Sequence, residues 1–176
     1  MKQISMPSKR ALIILPKNKF EDEEYHTLTG CLKRRSIITE DMTCGGEIAK
    51  GINGTIVNPG CVMEDVDITN YEALALIGGV GSIELWHNNG IIKLLTEAYD
   101  MGKLVCAICL APVTLANADL LTGKKATAFD SAASYLRSKG ATYTGRLVEI
   151  AGNIITARGP EASQSFAIAI ADCLAK

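Results

Sequence analysis

Short apolar runs alternate along this chain with longer segments of helical period, the order that builds a parallel sheet covered by helices. The first run, Lys9-Arg-Ala-Leu-Ile-Ile-Leu15, predicts a strand buried on both faces, and Pro16-Lys-Asn-Lys reads as its exit loop. From Glu21 to Arg35 the pattern is that of an amphipathic helix, with acids in the first turn and Lys33, Arg34 and Arg35 in the last, as the helix dipole favours. Within the run Glu21-Asp22-Glu23-Glu24, which otherwise reads as a solvated helix start, Glu24 stands apart. Leu28, Cys31 and Leu32 lie four, seven and eight residues beyond it, so Glu24 heads the apolar stripe and faces the sheet.

A short strand is expected near Ser36–Thr43, ended by Gly45-Gly46, and residues 47–59, with Asn53-Gly54 inside, read as a hairpin-like excursion or a strand edge. Tyr71–Ile77 is a second buried strand, and it runs into Gly78-Gly79-Val80-Gly81-Ser82. A helix over Asn88–Met101 returns the chain to a central strand beginning at Leu104, which makes the pair parallel. Pro112 suits the first turn of the next helix, and Leu121-Thr-Gly-Lys-Lys stops it. There follow a short strand over Lys125–Ala128, a helix over Ser131–Lys139 closed by Gly140, and a hairpin around Gly152-Asn153 spanning Val148–Ala157. The last helix is opened by Gly159-Pro160-Glu161 and carries Phe166, Ile170 and Leu174 on one side. The order predicts one α/β domain over residues 1–176, a three-layer sandwich with a mostly parallel, doubly wound, flavodoxin-like sheet. Residues 1–8 are expected to form an N-terminal tail.

Composition changes this picture little but excludes several functions. At 176 residues with 48% hydrophobic and 21% charged residues, the chain is long enough to bury a proper core. A formal charge of −1 gives no electrostatic basis for binding nucleic acid or an anionic membrane. No apolar run reaches membrane-spanning length and the start lacks the core of a signal peptide, so a soluble cytoplasmic protein is expected. The six cysteines are accordingly expected to be reduced. Cys106-Ala-Ile-Cys109 matches C-x-x-C, but Cys106 lies in an extended strand, where three steps of about 3.3 Å separate the pair too far for a disulfide. A zinc site lacks a second ligand pair, since only His26 and His87 exist. The glycine loop fails the G-x-G-x-x-G pattern at Glu84, so neither metal nor cofactor is expected.

The candidate chemistry lies at Cys109. Leu104-Val-Cys-Ala-Ile108 is a buried strand that breaks into the helix starting at Pro112, which puts Cys109 on the corner. Such an elbow lifts a side chain off the sheet's end and aims free helix N–H groups at it, the arrangement that lowers a thiol's pKa.

Ala107-Ile-Cys109-Leu-Ala-Pro112, Leu121-Thr-Gly-Lys-Lys-Ala-Thr127, Gly78-Gly79 after a strand, Phe20-Glu-Asp-Glu-Glu24 after the first strand, and Thr156-Ala-Arg-Gly-Pro160 together resemble the DJ-1/PfpI superfamily, from about Lys9 to Ala175. The resemblance implies that Cys109 is the elbow nucleophile, that Glu24 hydrogen-bonds its sulfur, and that the backbone N–H groups of Gly79 and Leu110 form an oxyanion hole. It also implies a homodimer or larger assembly. Two departures bear on activity: the histidine that PfpI-like proteases place after the nucleophile is Leu110 here, and Phe129 stands where another branch has its histidine. His87, after the glycine loop, is the one candidate to replace them, while His26 faces away from the helix's inner stripe. Two readings follow. Either Cys109 attacks a small carbonyl substrate, as in glyoxalase and deglycase relatives, or it is a redox sensor or chaperone-like stress protein oxidised at Cys109. Peptide cleavage ranks below both.

Overall fold

The computed structural model describes residues 8–176, so nearly all of the tail expected at residues 1–8 lies outside the described residues. In chain order the elements are β1 (Arg10–Ile14), β2 (Asn18–Phe20), α1 (Asp22–Arg34), β3 (Ile38–Thr43), β4 (Ala49–Gly51), β5 (Ile56–Val57), β6 (Cys61–Val62), β7 (Ala73–Leu76), α2 (Asn89–Asp100) and β8 (Leu104–Ile108). They continue with α3 (Pro112–Asn117), β9 (Lys125–Ala126), α4 (Ala133–Ser138), β10 (Thr142–Tyr143), β11 (Val148–Ala151), β12 (Ile154–Ala157) and α5 (Ser163–Leu174).

Seven strands form the main sheet in the order β11-β12-β8-β7-β1-β3-β6, parallel throughout except for the β11–β12 hairpin. The mostly parallel α/β architecture read from the sequence is thus the observed one. Strict alternation along the central strands builds two cores. Leu12, Ile14, Leu74, Leu76, Val105 and Ala107 face α2, α3 and α4. Ala11, Ile13, Ala73, Ala75, Cys106 and Ile108 face α1 and α5. Every one of these strand residues is fully buried, which is why the strands read as unbroken apolar runs.

The chain leaves β1 for β3 on one side and leaves β7 for β8 on the other, so the winding reverses between β1 and β7. Crevices outside the carboxyl ends of strands at such a reversal are where open α/β sheets place their sites. Here the ends of β7 and β8 bring Gly78 and Cys109 together, and the segment after β2 joins them through the Glu21 N–H, which donates to the Gly78 carbonyl.

Two local expectations are revised. The exit loop after β1 ends in a strand, β2, which pairs with β4, and β4 pairs with β5 to make a separate small sheet. Asp22, read as solvated, is 6% exposed. Its carboxylate accepts the backbone N–H groups of Asn53 at 2.8 Å and Thr55 at 2.9 Å, which pins the β4–β5 hairpin onto the start of α1. Burial alone would raise the Asp22 pKa, but these hydrogen bonds and one from the Thr55 side chain outweigh it and hold the carboxyl below its usual range.

Candidate active site

Cys109 sits one residue beyond β8 with φ of +65°, a left-handed conformation that an L side chain rarely adopts. Hydrogen bonds on both sides hold it there. Its N–H donates to the Ala157 carbonyl at 3.0 Å, and its own carbonyl accepts the Phe129 N–H at 2.8 Å. The residue is 6% exposed.

Glu24 is brought to the same point by α1. Its stripe partners Leu28, Cys31 and Leu32 are buried against the sheet as the helical period requires, and Glu24 itself is 1% exposed. Glu24 Oε2 accepts the Gly78 N–H at 2.8 Å. Oε1 is buried without a conventional hydrogen-bond partner, and the Cys109 thiol interacts with the same carboxyl. The two side chains meet over Gly78: a Cβ there would lie 2.5 Å from Cys109 Cβ and 2.8 Å from Glu24 Oε2. Glycine is required for this approach.

Backbone N–H groups of Gly79 and Leu110 stabilise negative charge on the Cys109 sulfur. Both peptides are fixed from their carbonyl ends. The Gly78 carbonyl, in the peptide that carries the Gly79 N–H, accepts the Glu21 N–H at 3.1 Å. The Cys109 carbonyl, in the peptide that carries the Leu110 N–H, is the one held by Phe129. Gly79 turns away at φ +92°, and a side chain there would strike the Lys19 carbonyl.

Electrostatically, the site differs from the simple elbow expectation. Burial is the main cause that pushes the Cys109 thiol up to about 12, and the Glu24 charge adds to it, while the Gly79 and Leu110 N–H groups act in the opposite direction. The following helix is only six residues long, so its dipole is small and burial wins. Burial likewise raises the Glu24 carboxyl to about 8, against the Gly78 hydrogen bond, with Glu21 and Glu161 adding to the rise. Glu24 is therefore protonated at neutral pH.

Neither histidine joins this group. His87 is exposed, with Nδ1 3.4 Å from Asn117 Nδ2, and His26 is exposed with Nε2 2.9 Å from Thr55 Oγ1. Leu110 and Phe129 occupy the neighbouring positions and carry no proton-transferring group. All six cysteines are free. Among the described residues no group of three or more His, Cys, Asp or Glu side chains could hold a metal ion, and no helix is long and apolar enough to cross a membrane.

An α/β sheet with a cysteine on a left-handed elbow, faced by a buried protonated carboxyl and two backbone donors, defines a class of proteins built around one protected thiol. The profile of the DJ-1/PfpI family matches residues 9–172, and the chain belongs to that family. It is 32% identical over 178 residues to MJ0967 of Methanocaldococcus jannaschii, an uncharacterized protein, covering 99% of this chain and 87% of that one. Protein dj-1beta of Drosophila melanogaster is 31% identical, over 96% of this chain and 90% of the relative. A ThiJ/PfpI domain protein from Brachyspira murdochii superposes with a TM-score of 0.92 at 28% identity, covering 95% and 96% of the two chains. The family includes proteins named as deglycases, one from Pyrococcus abyssi at 25% identity, and a putative cysteine protease of Bacillus subtilis at 29%.

Proposed function

We propose that this protein is a cysteine-dependent enzyme acting on small reactive carbonyls, with Cys109 as nucleophile and Glu24 as its proton partner. The observation that carries the reading is the packing of the buried Glu24 carboxyl, which burial pushes up to about 8, with Cys109 over Gly78. Cys109 and Glu24 lose their protons as a pair, because each charge penalises the other. A thiolate beside a protonated Glu24 avoids that penalty and gains an O–H donor. It is the reactive state.

With an α-oxoaldehyde such as methylglyoxal, the Cys109 sulfur adds to the aldehyde carbon, the C=O π electrons move to oxygen, and that oxygen takes a proton at the hole formed by Gly79 and Leu110. Glu24, having given its proton to that oxygen, accepts the proton on the same carbon and returns it to the adjacent carbon, while the hydroxyl proton passes to the adjacent carbonyl oxygen, leaving a thioester. Water then hydrolyses the thioester, releasing lactate and the free thiol. The net change is methylglyoxal plus water to lactate, with no external oxidant or reductant. The deglycase names carried by the Pyrococcus abyssi and Thermococcus kodakarensis relatives support a carbonyl-directed reading.

Access favours small substrates, since Cys109 exposes 6% of its surface. Peptide hydrolysis further requires an acid to protonate an amine leaving group, and loss of a positioned acid typically costs about 10² to 10⁴ in rate. His26 and His87 are exposed and engage Thr55 and Asn117, and Leu110 and Phe129 beside the site carry no proton-transferring group. The test is lactate formation from methylglyoxal by the wild type, Cys109→Ser and Glu24→Gln, with a fluorogenic peptide panel alongside. Turnover abolished by Cys109→Ser, without peptide cleavage, is expected; no methylglyoxal turnover by the wild type, or Cys109-dependent peptide cleavage, contradicts the reading.

A further inference from the structure

The Leu110 N–H follows Cys109 directly and acts to lower its thiol pKa, and the peptide bearing that N–H is tied at its carbonyl by Phe129. A peptide fixed at one end can still tilt about the next backbone torsions, so the position of the N–H depends on what holds the Leu110 carbonyl. Within α3 that carbonyl receives only the Val113 N–H, at a long 3.4 Å. The shorter bond comes from a side chain distant in sequence: Trp86 Nε1 donates to the Leu110 carbonyl at 3.0 Å.

Trp86 is also the end of the turn that begins at Gly79. Residues Val80–Leu85 form a short 3₁₀ segment with Gly79 at its start and Trp86 closing it. The Gly79 carbonyl is held by Ser82, whose Oγ donates at 2.7 Å and whose N–H donates at 3.1 Å. From the other side, Asn117 Nδ2 donates to the Trp86 carbonyl at 2.7 Å, and Tyr135 Oη donates to Asn117 Oδ1 at 2.6 Å. A continuous set of hydrogen bonds therefore runs from α4 through the end of α3 to Trp86 and on to Leu110. The two loops that supply the donors to the sulfur are joined to each other through one indole.

We propose that Trp86 is a positioning residue that locks the Gly79 turn to Leu110 and so fixes both backbone donors around the Cys109 sulfur. The consequence for chemistry rests on the reading of Cys109 as a nucleophile, because the donors matter only when sulfur or substrate oxygen carries charge. Removing an oxyanion donor outright typically costs about 10² to 10³ in rate, so loosening one predicts a loss of about tenfold in kcat with KM little changed.

The test uses Trp86→Phe, which keeps an aromatic ring against the core and removes the N–H, and it follows the pH dependence of Cys109 alkylation by iodoacetamide together with methylglyoxal kinetics. A move of the alkylation profile to higher pH, with a thermal transition close to wild type, is the expected result. An unmoved profile in a folded variant overturns the proposal. The alkylation arm stands apart from the substrate: if the wild type fails to turn over methylglyoxal, the substrate assignment falls while the profile still decides the role of Trp86. A second arm needs no variant. Trp86 is the only tryptophan, so its emission should change in proportion to Cys109 alkylation in the wild type and stay constant when Cys109→Ser is treated in the same way; constant emission in the wild type overturns the proposal.

Discussion

A carboxyl proton held beside a thiol governs the chemistry proposed for Cys109. Glu24 is neutral below about pH 8, so replacing it at neutral pH removes a donor to sulfur rather than a charge. Below about pH 8, where Glu24 keeps its proton, Glu24→Leu is expected to slow Cys109 alkylation, and Glu24→Gln, which still offers N–H, to slow it less. Identical alkylation profiles in wild type and both variants would remove Glu24 from the site. Glu24 was legible in the sequence because helical period alone aims it inward with Leu28, Cys31 and Leu32. Cys109 was legible because an apolar strand meets a proline three residues later. The direction of its thiol pKa was not, since it depends on how deeply the elbow is buried against α1, a quantity that no local pattern carries. The role of Trp86 was equally hidden, as its partner Leu110 lies 24 residues away.

Among the elements, β7, β8 and α1 meet in close contact at Gly78. At Gly78 an added Cβ would meet the Ile108 carbonyl at 2.7 Å as well as Cys109 and Glu24. Backbone cannot give way there. Gly78→Ala is therefore expected to disrupt the site, with Cys109 alkylation and turnover lost, even if the protein stays folded; an active, normally alkylated Gly78→Ala would show that the joint is looser than described. The attachment of the β4–β5 hairpin is a second joint. Asp22→Ala leaves two N–H groups without their acceptor, a cost of roughly 1 to 3 kcal/mol measurable by denaturant unfolding, and an unchanged midpoint would contradict that role. This joint escaped sequence reading because Asn53 and Thr55 lie more than 30 residues beyond Asp22 and contribute backbone groups, which leave no mark in side-chain pattern. The hairpin itself was readable from Asn53-Gly54, and β2 was not, being three residues long.

For the whole molecule, the buried acids set an unusual pH dependence of stability. Glu24 has a folded pKa of about 8 against the ordinary carboxyl value of 4.5, so between these values the native state holds a proton that the unfolded chain has released. Stability from this group is complete below about pH 4.5 and is lost as pH rises to about 8. Asp22, held low, contributes in the opposite sense: its share is present above its ordinary value of 3.8 and is lost as pH falls below it. Maximum stability is thus expected near pH 5, on the acid side of neutrality. Glu24→Gln should remove a few kcal/mol of the decline between pH 5 and 8. Melting curves that fall equally with pH in wild type and Glu24→Gln would contradict this. The three-layer architecture was legible throughout, because strands covered on both faces are apolar without interruption.

The central claim is that Cys109 forms a covalent adduct with a small carbonyl, and carbon-13 NMR of the protein with methylglyoxal labelled at the aldehyde carbon tests it most directly. The expected spectrum shows a hemithioacetal resonance that requires Cys109 and gives way to labelled lactate, with Glu24→Gln slowing the conversion more than the addition. An unaltered spectrum, or the same adduct and lactate from Cys109→Ser, would contradict it.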